Sequence, residues 1–138
     1  MQRILSTDLL RHTGATVTVA GWVHRRRLLK SVAFLIVRDA AGVAQVVVHD
    51  NGTRAELERV PEESVVEVTA TVAANPVAPG GVELIAPRLR VLSAVSVRLP
   101  FDLHRPALTA TLPTQLDHAA LALRHSSRAR ALRMWRRI

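Results

Sequence analysis

Five runs between residues 16 and 97 place apolar side chains, mostly valine, at every second position, and one helical segment interrupts them. A period of two is the mark of a half-buried strand, because successive side chains leave a strand on opposite faces. The runs are TVTVAGWVH (16–24), VAFLIVRD (32–39), VAQVVVH (43–49), SVVEVTATVA (64–73) and VELIAPRLRVLSAVSV (82–97). Ala41–Gly42 predicts a turn, Asn51–Gly52 ends the third run, and NPVAPGG at 75–81 is a loop. In TRAELERV, Thr53 and Glu56 have the spacing of a capping box, and Pro61 stops the helix that follows. Pro87 predicts a bend or an edge position in the last strand.

Three strands, a short helix and two strands is the element order of an all-β, five-stranded OB-fold barrel. Residues 1–97 are expected to form it. After Leu99–Pro100 the periodicity stops. Residues 98–111 read as a hinge and 112–138 as a helical extension. Thr114 can cap a helix through LDHAALALRH, and Ser126–Ser127 open an arginine-rich helix. Ala131, Leu132, Trp135 and Ile138 lie along one side of that helix. Such a stripe requires a partner, either a second copy of the chain or a separate catalytic partner docking on 126–138.

The 138 residues carry a formal charge of +8, which favours an anionic partner, nucleic acid first. Every cation but Lys30 is an arginine, a bias that genome composition can also produce, so clustering is the better guide. Residues 24–40 hold Arg25, Arg26, Arg27, Lys30 and Arg38 against Asp39 alone. With no cysteine, disulfides and thiolate metal sites are excluded. No paired-histidine, P-loop, G-x-G-x-x-G or G-x-S-x-G pattern occurs, so no metal, cofactor or catalytic residue is expected. Glu62–Glu63 reads as a solvated turn. No segment has the length and apolarity of a membrane span or secretory signal, and a cytoplasmic protein is expected.

Strand parity separates core from surface. Ala33, Leu35 and Val37 share one face of the second strand; Phe34, Ile36 and Arg38 share the other. On the third strand, Ala44, Val46 and Val48 oppose Val43, Gln45, Val47 and His49. A small barrel fills its interior with apolar side chains. Phe34 and Gln45 then stand on the outside, near a loop bearing the three arginines. A ring, an amide and guanidinium groups suit an unpaired base: stacking on its face, hydrogen bonds to its edge, charge on its phosphates. With only two Phe and two Trp, one or two specific bases fit better than a long sequence-neutral strand. A general single-strand binder remains the alternative, as does an interaction protein using its arginine-rich helix.

The stretch GWVHRRR…FLIVRDAAGVAQVVV resembles the N-terminal anticodon-binding domain of aspartyl-tRNA synthetases, in the wider class IIb group. LPFDL…LPTQLDHAALALRH looks like the hinge and first helices leading to their catalytic domain, and the short 75–81 loop resembles the archaeal-type, non-discriminating subgroup. The resemblance implies tRNA binding. Phe34 would stack on the central anticodon base, a U, and Gln45 would read its edge. Arg25 and Arg27 would contact the anticodon loop, and Asn75 and Glu83 would approach flanking bases. His24, Arg26 and Lys30 are weaker candidates. Where the family usually has an Asp and glycines, this chain has Leu28, Leu29, Lys30 and Ser31, and Gln115 and Ala119 stand where it tends to have Arg. The class II catalytic motifs are not in these residues, so this chain alone is not expected to aminoacylate.

Overall fold

In the computed structural model, which describes residues 2–137, five strands close into a barrel in the order β1-β2-β3-β5-β4. They are β1 (Thr16–Leu28), β2 (Ala33–Arg38), β3 (Val43–Val48), β4 (Val65–Ala74) and β5 (Val82–Ser93). A helix, α1 (Asn51–Glu58), lies between β3 and β4, and a 3₁₀ turn (Ser6–His12) precedes β1. All pairings are antiparallel except β3 with β5, where Val46 meets Leu84 in parallel. This is the OB-fold expected from the order of runs.

The barrel interior is aliphatic throughout. Val19, Val23, Ala33, Leu35, Val46, Val66, Val68 and Leu84 are all at most 1% exposed. Leu57 of α1, Val60 after it and Leu9 of the 3₁₀ turn join the same cluster from outside the strands. β-branched side chains pack well on a pleated surface and stiffen it. A core filled this way needs no ring, which leaves Phe34 on the outer parity.

Three boundaries differ from expectation. β1 continues to Leu28, so Arg25, Arg26 and Arg27 stand on a paired strand and not in a loop. β5 ends at Ser93, short of residue 97, and bends where Ala86 takes φ 50° beside Pro87 and the register slips opposite Thr69–Thr71. α1 is capped by Asp50 and not by Thr53. The Thr53 backbone N–H and hydroxyl donate to Asp50 Oδ2 at 2.7 and 2.9 Å and hold that carboxyl below the usual carboxylate range. A carboxylate attracts orphan N–H groups more strongly than a hydroxyl and complements the helix dipole.

Residues 97–138 form a second compact unit. Phe101 and Leu103 are buried there with Ala122, so the stretch expected as a hinge contributes to a small core. The helix expected to start from a Thr114 cap begins at Leu112 and is interrupted at His118, giving α2 (Leu112–Asp117) and α3 (Ala119–Ala122). His125, fully buried, caps α4 (Ser126–Arg136). Its Nδ1 accepts from the Ser127 N–H at 3.2 Å, and its Nε2 lies 2.8 Å from the Arg105 carbonyl. Leu132 and Trp135 are 53% and 79% exposed; Ile138 lies outside the described residues.

Gly21 fixes how closely β1 and β2 approach. A Cβ there would stand 2.1 Å from the Arg38 carbonyl oxygen, and both are strand backbone with no room to yield. Gly21→Ala is expected to destabilise the barrel by about 1–3 kcal/mol, toward the upper end because the clash is with backbone. A thermal unfolding midpoint within a degree or two of the parent would show that the strands can part.

Candidate nucleic-acid interface

The outer face of β1, β2 and β3 is assembled around one irregularity. β1 pairs with β4 as far as Trp22↔Val65 and with β2 from Trp22↔Arg38 onward. As it changes partner, the register slips between Val23 and Arg25, leaving His24 as an extra residue. A bulge of one residue reverses parity beyond it. Val23 points into the core opposite Val37; unbroken alternation would put Arg25 and Arg27 inside as well. The bulge turns them outward, opposite Ile36 and Phe34.

Two rows of side chains result. Arg27, Phe34 and Val47 lie side by side on successive strands; Arg25, Ile36 and Gln45 form the next row. Phe34 and Gln45 are diagonal neighbours, a relation of about 7–8 Å that long or aromatic side chains bridge. Arg25 and Arg27 are exposed, while Phe34, Ile36 and Gln45 are half-buried. β5 extends the second row. Gln45 Nε2 donates to Glu83 Oε2 at 3.4 Å, and Asn75 Nδ2 donates to the same oxygen at 2.9 Å. Asn75 Oδ1 accepts the Val77 N–H at 3.2 Å, so this contact also shapes the 75–81 loop. Gln45 keeps its second N–H and its carbonyl for other partners.

Arg26 and His24 make contacts within the protein as well. Arg26, on the inward parity after the bulge, reaches α1 and donates to the carbonyls of Leu57 and Glu58, both at 3.0 Å. It thus satisfies orphan carbonyls at the helix C-terminus. Arg38 donates to His24 Nδ1 at 3.0 Å and to Glu63 Oε1 at 2.5 Å, and its guanidinium lies 5.3 Å from the Trp22 ring centroid. Glu63 is 4% exposed, so the turn at 62–63 is not simply solvated as expected. It holds φ 67°, a region costly to a residue with a Cβ, and its N–H donates to the Val23 carbonyl at 2.8 Å. Asp39 accepts from Ser6 N–H and Oγ and from the N–H groups of Ala41 and Gly42, all within 2.9 Å. The motif RDAAG is therefore a joint between the N-terminal segment and the β2–β3 turn. Lys30 stands exposed at the tip of the β1–β2 hairpin.

Sequence parity found Phe34 and Gln45 but missed the support beneath them. The signal for the bulge was present: a strand whose Val23 is inward cannot also bury Arg25 and Arg27. Ile36, on the same face by parity, stands between Arg25 and Gln45 and was not among the candidate residues.

Residues 17–92 match the tRNA anticodon family described as the OB-fold nucleic acid binding domain. The chain belongs to this family. Its relatives include aspartate–tRNA(Asp/Asn) ligases and an asparaginyl-tRNA synthetase. The aspartate–tRNA(Asp/Asn) ligase of Deinococcus radiodurans is 36% identical over 134 residues, covering 97% of this chain and 29% of the ligase. That of Methanopyrus kandleri is 42% identical over 115 residues, covering 80% of this chain and 26% of the ligase. Among solved structures, the asparaginyl-tRNA synthetase of Pyrococcus horikoshii with asparaginyl-adenylate superposes at a TM-score of 0.79 and 30% identity, covering 90% of this chain and 29% of that one. The chain thus spans less than a third of these proteins.

The buried ion pair generates a prediction. The Arg38 and Glu63 side chains are only 12% and 2% exposed. Arg38→Ala removes a short, buried charge partner of the Glu63 carboxylate and should cost about 3–5 kcal/mol of stability. Urea denaturation at neutral pH checks this; a loss below about 1 kcal/mol, typical of a surface pair, would contradict it.

Proposed function

We propose that the domain binds the anticodon loop of tRNA-Asp, or of tRNA-Asn in a non-discriminating system, as the recognition part of an aspartate–tRNA ligase or of a truncated relative of one. One observation carries this: the bulge brings Arg25 and Arg27 onto the same outer face as Phe34 and Gln45. In this reading the central anticodon base, a U, stacks on Phe34. Gln45, oriented by Glu83, hydrogen-bonds its edge. Arg25 and Arg27 neutralise loop phosphates. Asn75 and Glu83 meet a flanking base, the carboxylate accepting from a base N–H.

A sequence-neutral single-strand binder is the second reading. Such proteins lay successive bases on several rings. Here Trp22 is already covered by Arg38, which leaves Phe34 as the ring on this face. Residues 98–138 would lead toward the catalytic part of the longer relatives, with no catalytic residue in the barrel. The exposed Leu132, Met134 and Trp135 of α4 suit a second copy or a catalytic partner. No helix among the described residues is long and apolar enough to cross a membrane. A role in translation would put the protein in the cytoplasm.

Titration of an anticodon stem-loop RNA tests the reading. Phe34→Ala should weaken binding by about 1–3 kcal/mol, the value of one base stack. Replacing the central U should weaken the parent and leave Phe34→Ala little changed. Affinity should fall with salt at a log–log slope of roughly −0.7 per phosphate contacted, shallower for Arg27→Ala. Equal affinity for a poly-dT of the same length, or indifference to the central base, would favour the sequence-neutral binder.

A further inference from the structure

The β1–β2 hairpin carries apolar surface that the barrel does not use. The Leu29 N–H donates to the Val32 carbonyl at 3.0 Å, closing a two-residue turn over Lys30 and Ser31. Since Arg27 faces Phe34 directly, alternation carries the same outer face to the next pair, Leu29 and Val32. Two-residue hairpin tips favour Asn and Gly. Here Leu28 and Leu29 occupy the approach to the turn, 42% and 43% exposed. Neither they nor Val32 belong to the core cluster. Val32 and Leu29 therefore continue the half-buried Phe34 as an aliphatic shelf, with Arg27 and Lys30 at its margin.

We propose that this hairpin tip is a second base subsite. Leu29 and Val32 take the face of the unpaired base next to the one on Phe34, and the Lys30 ammonium meets the phosphate joining the two. The subsite rests on the reading that Phe34 stacks one loop base. The step from Phe34 to Val32 is two strand residues, about 7 Å, which separates the two bases beyond direct stacking and gives each its own platform. An aliphatic shelf supplies contact area and no edge hydrogen bonds. It therefore selects for the presence of a planar base and not for its identity, unlike Gln45 in the neighbouring row. Lys30, a compact charge on a flexible stem, suits a phosphate whose position shifts with the base bound.

The test uses stem-loop RNAs with an abasic nucleotide at the central anticodon position or at either neighbour, titrated against the full chain and its Leu29→Ala variant. Leu29 is exposed, and equal melting temperatures confirm that the variant folds. Loss of one neighbouring base should weaken the parent by about three- to tenfold, what re-exposing part of one leucyl side chain yields, and Leu29→Ala by less than about twofold. Loss of the central base should weaken both proteins by the same factor. If the central base matters but loss of either neighbour affects parent and variant alike, or affects neither, the tip is no base subsite and the Phe34 reading stands. If loss of the central base leaves the parent's affinity unchanged, the Phe34 reading falls and the subsite with it.

Discussion

One extra residue in β1 decides which side of the barrel wall the arginines occupy. His24 is inserted where β1 leaves β4 and continues along β2, and every side chain beyond it is turned through the sheet. Bulges bend a strand and increase its twist. At this point they also need an anchor, because one β1 residue loses its ladder partner. The anchor is Arg38. From β2 it binds the imidazole of the bulged residue, the carboxylate of Glu63 ahead of β4, and the face of Trp22 ahead of the bulge. Three strands are pinned by one guanidinium, whose planar fork can serve several partners at once.

The cations consequently divide by task, a division that composition conceals. Arg38 and Arg26 spend their donors inside the protein, on the bulge and on the end of α1. Arg25 and Arg27 are exposed on the outer face, opposite Ile36 and Phe34. Arg26 alternates with Arg25 and Arg27 along one short stretch of β1 because neighbouring strand residues point in opposite directions. A net charge of +8 is therefore a poor measure of the charge available to a ligand.

Much of the fold could be read from period-two alternation, since an aliphatic core imposes it on every strand: Val66, Val68, Ala70 and Val72 are inward on β4 just as their spacing requires. The outward placement of Phe34 and Gln45 follows from the same rule, on strands with no irregularity. What escaped were features that join distant segments. Glu63 is separated in sequence from Arg38, so no local pattern pairs them. Asp50 displaced Thr53 as the cap of α1 because a carboxylate is the better acceptor, a competition that the spacing of Thr53 and Glu56 cannot reveal. Asp39, the one acid among the cations of residues 24–40, is the acceptor for the N-terminal segment and a turn, both set by chain positions that no local pattern joins.

The rigidity of this support bears on recognition itself. A platform for one base gains affinity when its members are held before the ligand arrives, since ordering them on binding would cost entropy. Phe34 is flanked on both sides by strand partners, Arg27 and Val47; Gln45 is steadied by Glu83, which Asn75 holds in turn. Lys30 and Ser31 lie between β1 and β2, beyond the Leu29–Val32 hydrogen bond that closes the hairpin. In the proposed reading, the face grades from a fixed centre, suited to reading a base edge, to a tip whose side chains would follow whichever base lies beside it. Edge recognition tolerates little displacement because hydrogen bonds weaken steeply with angle, whereas aliphatic contact does not. In the proposed reading, the discriminating contact of Gln45 would fall on the fixed centre of the face and the permissive ones at the hairpin tip, where stiffness matches the task.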